Sequence, residues 1–494
     1  MHIKDFIFEP KTGGQRIGRR IFRNAFWLTF GDVLNRVLKL ALVAVMTRVL
    51  PVAEFGAFTF TLNLLGLTFI LADLGISNVL QRRLAAEDDR TYLSTTFAMK
   101  LGLLVLAGVV SRIAAGVSDP AVAALASVLI FMMALDVLKN FFLVIHTAKN
   151  RMDKVAIANN AETAVIVLLG FLVLTNVPSV IALAWVYVLG ALAAFSYVAW
   201  TVRRELLGLF SFINVRLMKT VAWAGWPLAL GGMVWGLMST TDSLILGWLT
   251  NLELAAFYNA AAKIPQFLGP IGGIVVGATF PSLVATIKNH ELHKKLFERI
   301  NEILFALTIP IAAGGLLVAE PIIRTLYGDA YLPSAFVLIF LLFNLVQTAI
   351  NFFLTQLIFA HDHQSQSLLY VSLAWLTNIA LSVILIPIYG MGGAVGATIL
   401  GQGLIFISHT HFVKRKYGLV VLTKEVAKPA FAAAMMYVIL LAFGAGRRSI
   451  FITIPAGAIL YGIILIALKP NLLHDIKSLF RGEKPRIAPE TGNL

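Results

Sequence analysis

The chain presents fourteen apolar stretches, each near the ~20 residues that cross a bilayer as helix, with short polar segments between them. They lie at about 24–47, 55–80, 92–115, 121–147, 155–175, 178–200, 220–248, 256–282, 300–319, 334–358, 366–386, 391–412, 427–444 and 450–468. Lipid offers no partner to backbone N–H and C=O groups, so stretches of this length satisfy them internally as helix. The expected fold is an all-α polytopic membrane protein with about 14 transmembrane helices. Composition agrees: 59% of residues are hydrophobic and 13% charged, where soluble domains run about 45–50% and about 25%.

Loop charge tests the count. With the N-terminus in the cytoplasm, the inner segments hold 30 Lys and Arg and the outer segments hold 5 (Arg48, Arg112, Arg324, Arg447, Arg448). A missed span would invert every later loop, so an even number with both termini cytoplasmic is expected. The net charge of +15 then places basic loops against anionic lipid rather than nucleic acid. The first 23 residues are polar and basic, with no signal peptide evident. Residues 1–23 read as a cytoplasmic arm whose segment Gln15–Arg23 anchors at the membrane surface, and 471–494 as a cytoplasmic tail. With no cysteine, disulfides, thiolate zinc sites and iron–sulfur clusters are excluded. The longest outer loop, around 320–333, has about 14 residues. Such short loops argue against a membrane glycosyltransferase or polymerase.

Two segments recur. Leu50, Glu54 and Phe58 match Leu249, Glu253 and Phe257, and Asn140-Phe141-Phe142-Leu143 matches Asn351-Phe352-Phe353-Leu354. The second offset also aligns Gly190 with Gly401. Two parallel six-helix lobes are expected, 24–210 and 211–415, with helices 13 and 14 at 416–470. Repeats of this kind are common in secondary transporters, whose sites lie between the halves.

Several motifs make the resemblance specific. They are Thr47-Arg48-Val49-Leu50-Pro51 through Phe58, Ala72-Asp73-Leu74-Gly75-Ile76-Ser77, Thr241-Asp242 through Gly247, and Ala256-Phe257-Tyr258. Leu326-Tyr327-Gly328-Asp329-Ala330-Tyr331 and Ile386-Pro387 through Ala394 join them. Over roughly residues 20–415 the chain resembles the polysaccharide (O-antigen-type) flippases of the multidrug/oligosaccharidyl-lipid/polysaccharide exporter superfamily. The resemblance implies two lobes around a central cavity and outward movement of a polyprenyl-pyrophosphate-linked saccharide. It implies a cell inner (plasma) membrane location. Partners are then the lipid-linked oligosaccharide, membrane lipids, and polysaccharide polymerase and export machinery. No cofactor and no metal is expected.

Charges inside a span cost about 2.5–3.5 kcal/mol each on insertion scales and usually face protein or a water-filled cavity. In span 1, Asp32, Asn35, Arg36 and Lys39 share one helical face. In span 7, Ser239, Asp242 and Ser243 form a shorter stripe, and in span 8 Asn259, Lys263 and Gln266. Span 10 carries Asn344, Gln347, Thr348, Asn351 and Thr355. Arg36, Lys39 and Lys263 are the pyrophosphate candidates, because cations form charge-assisted hydrogen bonds with phosphate. Asp32, Asn35, Asp242, Asn259, Gln266, Asn344, Gln347 and Asn351 are the candidates for glycan contact or coupling. Asp242 stands equally as a proton-linked switch and as an interlobe hydrogen-bond acceptor. The competing reading for all of them is helix-to-helix glue. Asp136 with Lys139 reads as a structural pair, and Lys100 as a side chain snorkelling to the cytoplasmic surface. Gly273 with Gly277 reads as a GxxxG packing face, as do Gly232–Gly236 and Gly392–Gly396. Pro227, Pro265, Pro270 and Pro310 are candidate bends. The alternatives to a saccharide flippase are a drug/cation antiporter of the same superfamily, which would favour acidic cavity residues, and a lipid II flippase.

Overall fold

The computed structural model describes residues 13–86, 89–444, 446 and 449–469, with side chains at 13–30, 227–235 and 237–239 outside that description. The expectations for residues 1–12, the tail 471–494, Arg447 and Arg448 fall outside the described residues, and those that need the side chains of Gln15–Arg23, Pro227 and Ser239, or the surroundings of Gly232, fall outside that description too. Among those described, all regular structure is helical. Twelve helical segments are long and apolar enough to cross a membrane, matching expected spans 2–6 and 8–14. Expected spans 1 and 7 fall inside helices Gly13–Val49 and Val215–Leu249, whose side chains are only partly described. The chain divides into two compact units, 1–240 and 241–494.

Unit 1 holds α1 (Gly13–Val49), α2 (Val52–Phe69), α3 (Ile76–Ala86), α4 (Arg90–Gly116), α5 (Pro120–Ala148), α6 (Met152–Asn176) and α7 (Val180–Thr201), and α8 (Val215–Leu249) up to Thr240. Local chemistry sets the helix starts. The Asp89 carboxylate accepts from Thr91 N–H at 2.8 Å, and Asp119 from Ala121 N–H at 2.8 Å just ahead of Pro120. Expected span 55–80 is corrected. The α-helix stops at Phe69, one 3-10 turn follows, and the chain breaks at Leu74 (φ 41°) and Gly75 (φ 77°) before α3. Left-handed backbone at two successive residues cannot continue a right-handed helix. α5 packs on α2 and α7, and α6 on α1 and α7.

Unit 2 holds the rest of α8, α9 (Leu252–Leu268), α10 (Pro270–Thr286), α11 (His290–Tyr327), α12 (Ser334–Ala360), α13 (Gln364–Tyr389), α14 (Met391–Tyr417), α15 (Ala427–Ala442) and α16 (Ile450–Leu468). Expected span 256–282 is two helices, because Pro270 starts a new one directly after Gly269. The basic segment 285–299 and the outer loop 320–333 are largely helical too. Asn289 caps α11 through Leu292 N–H (3.1 Å), and at its other end Arg324 pairs with Glu320 (3.0 Å), so α11 overshoots the expected span at both ends. α15 and α16 dock on α11, where Tyr461 donates its hydroxyl to the Ala306 carbonyl (2.8 Å) and Lys469 pairs with the buried Glu302.

The repeat has a counterpart in each core. Phe142 stacks on Phe97 at 5.7 Å in unit 1, and its sequence match Phe353 stacks on Phe297 at 5.4 Å in unit 2. A Cβ at Gly190 would stand 3.2 Å from the Glu162 carbonyl of α6; one at Gly401 would stand 3.4 Å from the Ala374 carbonyl of α13. Both glycines let consecutive helices approach backbone to backbone. The GxxxG expectation holds at Gly236, where a Cβ would stand 3.2 Å from Ile70, and fails by one residue at the other two pairs. A Cβ at Gly273, Gly277 or Gly396 would find nothing within 4 Å, whereas one at Gly272 would stand 3.2 Å from Ala349 and one at Gly393 would run into the Leu385 carbonyl. A one-residue step turns a helix by about 100°, so the packing face lies beside the expected one.

Candidate functional site

In unit 1 the span 1 stripe is formed as its spacing requires. Arg36 Nε donates to Asp32 Oδ2 at 2.8 Å, one helical turn away. Asp32 is exposed and Arg36 half-buried, at 52% and 36%. Lys39 is also exposed, and Asn35 is half-buried with an Oδ1 that has no hydrogen-bond partner among the described residues. A different face of α1 meets α6. A Cβ at Gly31 would stand 3.0 Å from Asn160 Nδ2, and one at Gly170 would stand 3.0 Å from Leu42. One side of α1 is therefore committed to packing, and the other displays two cations and one carboxylate.

The two lysines inside later spans of unit 1, Lys100 and Lys139, are paired within it. Lys139 bonds Asp136 (2.7 Å) on its own helix and Glu162 on α6. The expected structural pair is thus a triad with a second carboxylate. Lys100 departs from expectation: it is 3% exposed, bonded to Asp73 and, at 3.2 Å, to Ser77 Oγ. The break at Leu74 and Gly75 brings Asp73 to it, and an ion pair replaces the route to the surface.

In unit 2, Asp242 is the most elaborately surrounded candidate. It is 4% exposed. Ser382 Oγ of α13 donates to Oδ1 at 3.1 Å, while Thr398 Oγ1 of α14 and, at 3.3 Å, Tyr258 of α9 donate to Oδ2. Asn378 of α13 supplies a fourth neutral donor. Three helices thus converge on one carboxylate with neutral groups. Asn259 donates to Ser243 Oγ at 2.7 Å, linking α9 to α8. Lys263 is half-buried and Gln266 exposed.

The span 10 stripe divides in two. Asn351 is 2% exposed and donates to the Gln402 carbonyl (3.0 Å) and to Gln402 Oε1 (2.9 Å). Thr348 and Thr355 return their hydroxyls to carbonyls of their own helix. Asn344 Oδ1, Gln347 Oε1 and Asn351 Oδ1 are buried acceptors with no partner among the described residues. Such atoms call for water or ligand, and Asn344 and Gln347 differ from Asn351 in having no side-chain hydrogen bond to another helix among the described residues. Among the described residues no group of three His, Asp or Glu side chains is placed to hold a metal.

Residues 21–287, more than half of the chain, match the model of a family described as polysaccharide biosynthesis protein. The chain belongs to that family. A Haloferax volcanii protein described as probable flippase AglR is 25% identical over 252 residues, 49% of this chain and 52% of its own. The chain thus spans about half the length of that relative. A second Haloferax volcanii protein, described as probable low-salt glycan biosynthesis flippase Agl15, is 23% identical over 93% of this chain and 98% of its own. The fold is that of lipid II flippase MurJ in an inward closed conformation, with a TM-score of 0.74 at 16% identity over 90% of this chain and 99% of that one.

In this member of the polysaccharide biosynthesis family, the aromatic residues of the Leu326–Tyr331 motif pack into the core. Tyr327 and Tyr331 are fully buried, with ring centroids 6.1 Å apart, and Tyr331 meets Phe257 edge-on at 5.7 Å. Sequence reasoning missed Ser382, Asn378 and Thr398. Each is a single small polar residue in an apolar span, and the spacing of Asn378 and Ser382 at i, i+4 was the only available signal.

Proposed function

We propose that this chain is a flippase that moves a polyprenyl-pyrophosphate-linked oligosaccharide, an O-antigen or exopolysaccharide repeat unit, from the inner to the outer leaflet by alternating access. The observation that carries the reading is the α1 face. Lys39 stands exposed and Arg36 half-exposed on a helix read as the first of fourteen membrane crossings, with the exposed Asp32 offsetting one of the two charges. Exposed charge at that depth implies an aqueous path, and a surplus cation suits a diphosphate. Asn344 and Gln347 offer the unpaired acceptors a glycan's hydroxyls can use. We assign Asp242 to ion coupling, because a buried carboxylate held by hydroxyl and amide groups can exchange a proton or cation while keeping its ligands. The lobes are 24–210 and 211–415, the membrane is the inner (plasma) membrane, and both termini face the cytoplasm.

The test is reconstitution into proteoliposomes with a polyprenyl-pyrophosphate oligosaccharide, scoring headgroup access to an external enzyme. Protein-dependent translocation should be lost in Arg36→Ala and in Lys39→Ala, with membrane insertion intact. Full activity in both single variants removes the α1 site. Failure across a panel of glycans, with drug-cation efflux from the same vesicles, replaces the reading with the antiporter.

A further inference from the structure

The connection from α7 to α8 carries a surface that translocation does not use. Its backbone is tied to the first two turns of α4. Asn214 N–H donates to Thr95 Oγ1 at 3.0 Å, Phe210 meets Phe97 edge-on at 5.6 Å, and Leu209 is buried with Phe141 and Phe142. α4 begins at Arg90, so the connection sits at one end of a crossing helix, at the depth of lipid headgroups. There it leaves large apolar side chains uncovered: Leu207, Phe212 and Val215 are 71%, 47% and 73% exposed.

Four exposed cations surround them: Arg203, Arg204, Arg216 and Lys219. None forms an ion pair among the described residues. The one acid of the segment, Glu205, is bonded to Lys149 at 3.1 Å. The Arg203 guanidinium lies 5.2 Å from the ring centre of the exposed Trp200. Thr91, Phe212, Ile213, Asn214, Val215 and Arg216 line an open pocket of about 510 Å³ in the middle of this patch.

We propose that residues 203–219 bind anionic phospholipid of the cytoplasmic leaflet, with the phosphodiester on the cations around the Arg216 pocket and acyl chain against Phe212, Ile213 and Val215. The charge pattern selects the occupant. Uncovered apolar side chains beside unpaired cations match the boundary between a negative headgroup layer and hydrocarbon. A neutral lipid would leave the cations unmatched, and a soluble phosphate would leave the apolar side chains in water. The site lies on the sequence that joins the two repeats, so lipid there holds that joint at the membrane surface.

Binding is read without transport, so its failure and the failure of the flippase reading are separate results. Purified full-length protein in detergent is titrated with phosphatidylglycerol, phosphatidylcholine or inorganic pyrophosphate, and retained lipid is counted by native mass spectrometry. Wild type should retain phosphatidylglycerol over phosphatidylcholine. The variant Arg203→Gln/Arg204→Gln/Arg216→Gln/Lys219→Gln should lose that preference by ~10-fold or more, given the contribution of each cation near an anionic surface. The all-lysine counterpart at the three arginines should keep it, and so should Lys294→Gln/Lys295→Gln on α11. If the fourfold variant does not fold, Arg216→Gln alone is read. Equal retention by wild type and the glutamine variant overturns the proposal, as does displacement of phosphatidylglycerol by pyrophosphate.

Discussion

The Ser382 hydroxyl donates to the Asp242 carboxylate at 3.1 Å, joining positions 140 residues apart. With Thr398, Tyr258 and Asn378 it makes a carboxylate site from neutral ligands, in contrast to unit 1, where Lys100 and Lys139 meet carboxylates directly. Lys100 and Lys139 are neutralised by counter-ions, as is Glu302 by Lys469 in unit 2, whereas Asp242 is surrounded by neutral hydrogen-bond donors. The proposed coupling role of Asp242 rests on this set of neutral donors.

Asp242→Asn and Asp242→Ala separate these roles. The alanine leaves buried donors unpaired, costing about 1–3 kcal/mol for each one that finds no water. The asparagine keeps an acceptor oxygen and should unfold thermally near wild type. Translocation should fall steeply in both. Wild-type transport by the stable asparagine variant would remove Asp242 from coupling.

Lys139→Met should be among the most damaging single changes in unit 1. It leaves Asp136 and Glu162 facing each other without their shared cation, and breaking a buried pair costs about 3–5 kcal/mol. The triple variant Asp136→Asn/Lys139→Met/Glu162→Gln should recover most of that loss in a thermal melt. Absence of recovery would mean that Lys139 acts beyond pairing.

The α12 stripe makes opposite predictions within one helix. Asn344→Ala and Gln347→Ala remove acceptors that have no partner among the described residues, so stability should hold within ~1 kcal/mol while glycan transport drops. Asn351→Ala removes two hydrogen bonds to Gln402 and should lower the melting temperature first. Transport and melting measured on the same preparations decide between recognition and glue.

Gly393→Ala should fail to accumulate as folded protein, because its Cβ would sit 2.3 Å from the Leu385 carbonyl across the α13–α14 turn. Gly273→Ala should be tolerated, since nothing stands within 4 Å of its Cβ position. Size-exclusion profiles of the two variants give the comparison. Equal profiles would contradict the packing described for the turn.

The sequence by itself determined what depends on neighbours along the chain. Hydropathy placed the spans, since a helix needs only its own residues to satisfy its backbone in lipid. The i, i+4 spacing of Asp32 and Arg36 and the i, i+3 spacing of Asp136 and Lys139 fixed those pairs, because a helix brings residues three and four apart together whatever surrounds it. The repeat named Phe142 and Phe353, which took matching places in the two cores. Tertiary structure alone decided the rest. It brought Glu162 to Lys139 and Asp73 to Lys100, assigned Asn351 to Gln402, and gathered Ser382 and Thr398 around Asp242. It also broke the second span at Leu74 and moved the close-packed glycine from 273 to 272. Each of these depends on the rotation of one helix against another, and similarly apolar helix faces leave that rotation to the interlocking of side chains from distant parts of the chain.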